Sequence, residues 1–132
     1  MTIMSNEQFA EYVLNLAKDA PPFEPNATYY PEGDCIEFFA SPAPFYGDRI
    51  DDFITVYRRH ETDEITGLLI KGISGICKHI PGFKNEIKQG PVKLEYILFL
   101  AKLFTSKQQA TYQKLIDMAE ENDVRTRLAG VE

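Results

Sequence analysis

The hydrophobic positions change period twice along this chain. At the start, Phe9, Tyr12, Val13, Leu16 and Ala17 recur at i, i+3, i+4, i+7 and i+8, the apolar stripe of an amphipathic helix that must lie on something. Ser5-Asn6-Glu7-Gln8 reads as its capping box, with the Ser5 hydroxyl accepting from the Gln8 N–H and the Gln8 side chain reaching back. Met4 and Phe9 are placed as the hydrophobic staple. Asp19-Ala20-Pro21-Pro22 ends the helix, because proline lacks an N–H and disfavours helical geometry in the residue before it.

The period then falls to two. Ala27–Tyr30 and Asp34–Ala40 read as strands around Pro31-Glu32-Gly33, a turn in which glycine can take a positive φ. Ile36, Phe38 and Ala40 point one way, Cys35, Glu37 and Phe39 the other. A second hairpin, Arg49–Arg59 and Glu64–Ile73, closes through His60-Glu61-Thr62-Asp63, and the rest of the chain is organised around it. In its first strand Ile50, Asp52, Ile54 and Val56 share a face with Arg58, while Phe53 and Tyr57 lie on the other with Asp51, Thr55 and Arg59.

Helical spacing returns with Ile73, Ile76, Cys77 and Ile80. Pro81-Gly82-Phe83 breaks the chain, a brief Lys84–Gln89 stretch follows, and Gly90-Pro91 is expected to open the longest helix, with proline at its first position. Val92–Phe104 is apolar almost all round, which calls for a helix held between the sheet and another helix, or in a dimer interface. Ser106-Lys107-Gln108-Gln109 reads as a second capping box, opening a final helix with Ala110, Tyr112, Leu115, Met118 and Ala119 inward. Ala101 and Ala110 would allow close packing, and Arg125–Glu132 either continues that helix or frays. The expected product is one α+β domain over residues 1–132. A four-stranded antiparallel sheet of two hairpins (27–73) is covered by an N-terminal helix (1–22) and by two C-terminal helices within 74–132.

A chain of 132 residues needs no covalent staple for a core of that kind. Cys35 and Cys77 are too few for a disulfide framework, and no secretory leader pattern opens the chain, so a cytosolic setting is expected. The longest apolar run, Tyr96–Ala101, falls far short of the ~20 residues that cross a bilayer. Charge is uneven within the net −6. Residues 1–64 carry thirteen acids against four bases, residues 65–116 two against eight, and residues 117–132 five against two. The basic middle is read first as solvated helix faces that meet the acidic hairpins, and second as a docking surface for an acidic or phosphate-bearing partner. Duplex nucleic acid is disfavoured by the overall acidity and by the scarcity of arginine.

Tyr29-Tyr30-Pro31-Glu32-Gly33-Asp34-Cys35-Ile36-Glu37-Phe38 resembles the opening of a family of small bacterial domains of unknown function. That opening reads Tyr-Asp-Pro-Glu-Ala-Asp-Ala-Leu-Tyr-Ile, and the family's hairpin ends in a Val-Gly-Ile-Glu-Ile strand. The matching strand here is Ile65-Thr66-Gly67-Leu68-Leu69-Ile70. Tyr30 stands where the family has aspartate and Glu37 where it has tyrosine, and the flanking helices are extra. The resemblance covers residues 29–73 and implies a compact antiparallel sheet, with no activity attached.

Candidate chemistry is thin. Asp48, Asp51 and Asp52 make a tempting carboxylate group, but residues 51 and 52 of a strand face opposite sides, so no acid–base pair is expected. Cys77 and His79 diverge by ~200° on a helix and cannot chelate one ion without Cys35 or His60 arriving from elsewhere. The same residues are the only material for a Cys–His nucleophile pair. No phosphate-cradling glycine pattern is present. No catalytic residue, metal site or cofactor is therefore assigned. The expectation is a non-catalytic interaction or regulatory protein, homodimeric or bound to a protein partner. The alternative is a small-molecule-binding domain or enzyme with an aromatic-lined pocket between sheet and helices. Contact residues are expected in the proline-stiffened loop Ser41–Asp48, at Phe45 and Tyr46, and at Arg58, Arg59 and Lys71.

Overall fold

The computed structural model describes residues 4–19, 22–78 and 90–129, so the expectations for His79, Ile80, Pro81–Phe83 and Lys84–Gln89 lie outside the described residues. In chain order the elements are α1 (Asn6–Asp19), β1 (Asn26–Tyr30), β2 (Cys35–Phe39), β3 (Phe45–Arg49), β4 (Ile54–Arg59) and β5 (Ile65–Lys71). Then follow α2 (Ile73–Lys78), β6 (Val92–Lys93), α3 (Leu94–Leu103), α4 (Gln109–Glu121) and β7 (Arg125–Thr126). The class is α+β with an antiparallel sheet.

The sheet has five strands rather than four, ordered β1-β2-β5-β4-β3. The extra strand arises because Arg49–Arg59 is not continuous. The Asp51 carboxylate accepts from the N–H groups of Phe53 and Ile54 at 2.8 and 2.9 Å, and the N–H of Ile50 and of Asp51 donate to the Ile54 carbonyl. That side-chain-capped turn reverses the chain. Phe45–Arg49, expected as loop and strand start, pairs back on β4 with Phe45 opposite Arg59 and Arg49 opposite Thr55. At the first hairpin it is Asp34 (φ 48°), not Gly33, that takes the left-handed conformation. Aspartate tolerates it because its short polar side chain can bond locally.

One face of the sheet carries the core. Ile36, Phe38, Ile54, Val56, Leu68 and Ile70 are sealed there against Ile73 and Ile76 of α2, Leu94, Ile97, Leu98 and Ala101 of α3, and Tyr112, Leu115 and Ala119 of α4. Two carboxylates tie the layers. Asp34 accepts from the Tyr29 hydroxyl at 2.7 Å and from the backbone and hydroxyl of Ser74, capping the start of α2 from the hairpin turn. Asp51 accepts from the buried Tyr112 hydroxyl at 2.7 Å, joining the β3–β4 turn to α4. Burial and these carboxylates push the Tyr29 phenol up to about 12 and the Tyr112 phenol well above its ordinary value.

The helices depart from expectation at their ends and surfaces. The Ser5 capping box forms as read, Ser5 N donating to Gln8 Oε1 and Gln8 N to Ser5 Oγ. The Ser106 box does not. Gln108 (φ 59°) occupies the N-cap position of α4 with no side-chain bond, and Gln109 instead reaches back to the carbonyls of Lys102 and Thr105. Pro91 does not open α3, because Val92 and Lys93 pair with Thr126 and Arg125 in a short ribbon. The chain after α4 therefore becomes a strand rather than more helix. Ala110 is exposed and Ile116 is buried. α3 is not enclosed on all sides: Tyr96, Phe99, Leu103 and Phe104 are 45–65% exposed. Most tellingly, α1 does not cover the sheet, and every one of its side chains described is exposed, including the whole apolar stripe.

Candidate interaction surface

The second face of the sheet is the surface on which the function is best sought. Strand alternation and the register place on it Asn26, Thr28 and Tyr30 of β1, Cys35, Glu37 and Phe39 of β2, and Gly67, Leu69 and Lys71 of β5. Thr55, Tyr57 and Arg59 of β4 and Phe45, Gly47 and Arg49 of β3 complete it. Among the described residues no helix packs on it, and of these side chains only Tyr57 is buried.

Tyr57 is buried by other rings. Its ring stacks on Phe45 with centroids 4.3 Å apart and on Phe39 at 5.5 Å, and Phe39 meets Phe45 at 5.6 Å. Offset contacts of this kind add to the simple area effect. Gly67 makes the arrangement possible: it lies opposite Tyr57 in the β4–β5 ladder, and a Cβ there would come within 2.2 Å of the Phe38 carbonyl oxygen and 3.2 Å of the Tyr57 ring. A glycine in the middle of a central strand thus serves as the floor under an aromatic plate. The Tyr57 hydroxyl donates to the Glu37 carboxylate, and burial together with that bond raises its pKa well above the ordinary tyrosine value. Phe45 remains 37% exposed, so the plate presents ring surface to water with Arg59 beside it across the ladder.

The structure divides the residues expected to make contacts. Phe45, Arg59 and Lys71 lie on the open face, the first two side by side and Lys71 near Cys35 at the far end of β5. Tyr46 and Arg58 pair with each other on the opposite face, where alternation along β3 and β4 puts them. There they are held within the molecule. Arg58 donates to Asp48 at 2.8 Å and to the Asp63 carbonyl, and the Tyr46 hydroxyl donates to Asp63 Oδ1 at 2.6 Å, which raises its pKa. Arg58 also lines a cleft of about 420 Å³ with Asp63, Glu64, Ile65, Lys114, Leu115 and Met118.

Among the described residues, the remaining reactive side chains do not converge. Cys35 is on the open face and Cys77 in the core beneath the other, so the two thiols are on opposite sides of the sheet; burial raises the pKa of each, that of Cys77 to about 11. His60 is exposed in the β4–β5 turn, its ring 5.7 Å from that of Tyr46. Asp48, Asp51 and Asp52 are separately engaged, by Arg58, by the turn and Tyr112, and by Arg49 at 3.6 Å. Among the described residues no group of three or more His, Cys, Asp and Glu side chains is placed to hold a metal ion, and no helix is long and apolar enough to cross a membrane. Sequence reasoning missed Tyr57, Phe39 and Gly67 as a unit. Alternation puts each on its face, but only the β2-β5-β4-β3 order makes them neighbours. No protein-family model, curated protein or solved structure matches this chain.

Proposed function

We propose that this is a non-catalytic interaction protein that engages a protein partner through the open face of its sheet. The observation that carries the reading is the Phe39–Tyr57–Phe45 plate over Gly67, an ordered aromatic surface left in water with Arg59 at its rim. Rigid aromatics flanked by arginine are what the energetic centres of protein interfaces are made of. Asp34 and Asp51 act as caps and ties between the layers. The acidic balance argues for a protein rather than a nucleic acid as the partner. The test is to place a photoreactive benzophenone side chain at Phe45 or at Leu69 and irradiate cells of the native host. Covalent adducts are expected at both positions and not at Lys107, which is exposed beyond α3. Adducts at Lys107 alone, or none on the sheet, would sink the reading.

A second reading is a small apolar ligand in the cleft of about 310 Å³ formed by Phe53, Gly72, Gly75, Ile76 and Phe104. Its size is at the lower limit for ligand pockets, and none of these residues has a polar side chain to orient a ligand. Chemical-shift changes of Ile76 with apolar fragments, and none at Phe45, would favour it over the sheet face.

A further inference from the structure

Among the described residues, the open sheet face with its ring plate and the apolar stripe of α1 are both uncovered, as is the outer side of α3, and the first two match in size. We infer that two copies of this chain exchange their N-terminal helices, each helix laying Phe9, Tyr12, Val13 and Leu16 on the Phe39–Tyr57–Phe45 face of the other. The inference rests on the reading of that face as a docking surface, and names its partner.

The dimensions agree. At ~1.5 Å per residue the 14 residues of α1 make a rod of roughly 21 Å. The strands beneath, five to seven residues at ~3.3 Å each, are of the same length, and five strands ~4.8 Å apart span about as much. The helix would cover the plate from edge to edge. The four stripe residues are 44–59% exposed. They offer roughly 400 Å² from each helix, and a like area of sheet, doubled by the two-fold, reaches the ~1,600 Å² of a standard stable interface.

Charge is arranged to suit. On a helical wheel Glu7, Glu11 and Lys18 lie opposite the stripe, so docking leaves them in water. On the sheet the charged groups are at the margins, Arg59 and Lys71 at two ends and Arg49 beside Asp52, while Glu37 is already held by Tyr57. The stripe would meet rings, Leu69 and Thr55 rather than unpaired charge. The same acidic pair makes α1 a poor membrane-surface helix, since those carry lysine and arginine on the polar face.

The connection selects a second copy over the chain's own sheet. Between α1 and β1 the sequence has Pro21, Pro22 and Pro25 in six residues. Proline-rich linkers run extended and stiff at ~3.1 Å per residue. A linker of that composition would carry the helix away from β1, an edge strand, rather than back over the face it leaves, and an element held off its own chain is free to be exchanged with a second copy.

Cys35 supplies the test, because it is already on the open face while Cys77 is buried. The full chain with Val13→Cys is treated with a short bismaleimide after mixing isotopically labelled and unlabelled protein. The expected products are a species of twice the 15.1 kDa chain mass by sedimentation and mixed-label peptides joining position 13 to Cys35. Phe9→Lys combined with Leu16→Lys should raise the dimer dissociation constant by about 100-fold or more. That variant should leave the slow amide exchange of Leu68 and Ile70 intact, since α1 takes no part in the core on the closed face. A crosslink only within one chain, a dimer without the helix-to-sheet crosslink, or a chain that stays monomeric each overturns the exchange. Adducts at Phe45 to a different protein would leave the proposed function standing while this inference fell.

Discussion

The two faces of this sheet are built from alternate residues of the same strands, and they solve different problems. On one, Ile36, Phe38, Ile54, Val56, Leu68 and Ile70 are at most 1% exposed and are met by helices. On the other, Cys35, Glu37, Phe39, Thr55 and Leu69 are half-buried, and the largest feature is a stack of rings. The closed face uses branched aliphatics that fill space between layers. The open face uses aromatics, which keep one another in place without a layer above. A sheet face can therefore be ordered without being covered, provided its side chains pack laterally.

That contrast is broken most directly within β5, where neighbouring leucines point to opposite sides. Leu68→Ala should cost about 3 kcal/mol in urea unfolding, because the cavity forms in the sealed core. Gly67→Ala comes next. Its new methyl meets backbone rather than a mobile side-chain end, so strand or plate must shift, at about 2 kcal/mol, with a visible loss of near-UV tyrosine signal.

Tyr112→Phe tests the tie between layers and should cost about 1 kcal/mol, since Asp51 loses a hydrogen bond. The tyrosines also set a pH dependence. In the unfolded chain they ionise near 10, whereas Tyr29 holds its proton to about 12 and Tyr57 and Tyr112 are likewise raised. The contribution of these groups is complete below pH 10 and declines as pH rises toward 12, because the unfolded state then releases protons the native state keeps. Urea midpoints should fall across that window, less steeply in Tyr112→Phe. The smallest effect is expected on the open face, where Leu69→Ala should change the stability of a single chain by under ~1 kcal/mol. A large loss there would mean that this face is covered.

Much of this was legible in the sequence. The Ser5 capping box, the Ile36/Phe38 alternation, the β4–β5 hairpin and the short helix at Ile73 all follow from local spacing, and local spacing is where backbone geometry leaves its mark. The fifth strand was not legible. Asp51 reads equally well as a strand residue and as the cap of a turn, and only its bonds to Phe53, Ile54 and Tyr112 decide. The aromatic plate was half visible, through Phe45 and Arg59, because strand order is a long-range property that no window along the chain contains. The Ser106 box shows the converse, a local motif overruled when Gln109 found carbonyls on α3. For α1, periodicity announced a buried face, and the structure leaves that face in search of its cover.

The ribbon of β6 and β7 has a consequence for the order in which the molecule can be completed. The N–H of Leu94, at the start of α3, donates to the carbonyl of Val124, and Val124 and Leu128 are buried in the same core as the closed face of the sheet. These residues follow every other element they fasten. A chain emerging from the ribosome can assemble β1 to β5 while its helical layer still lacks its clasp, so the core must wait, part-built, until residues 124–128 have been released.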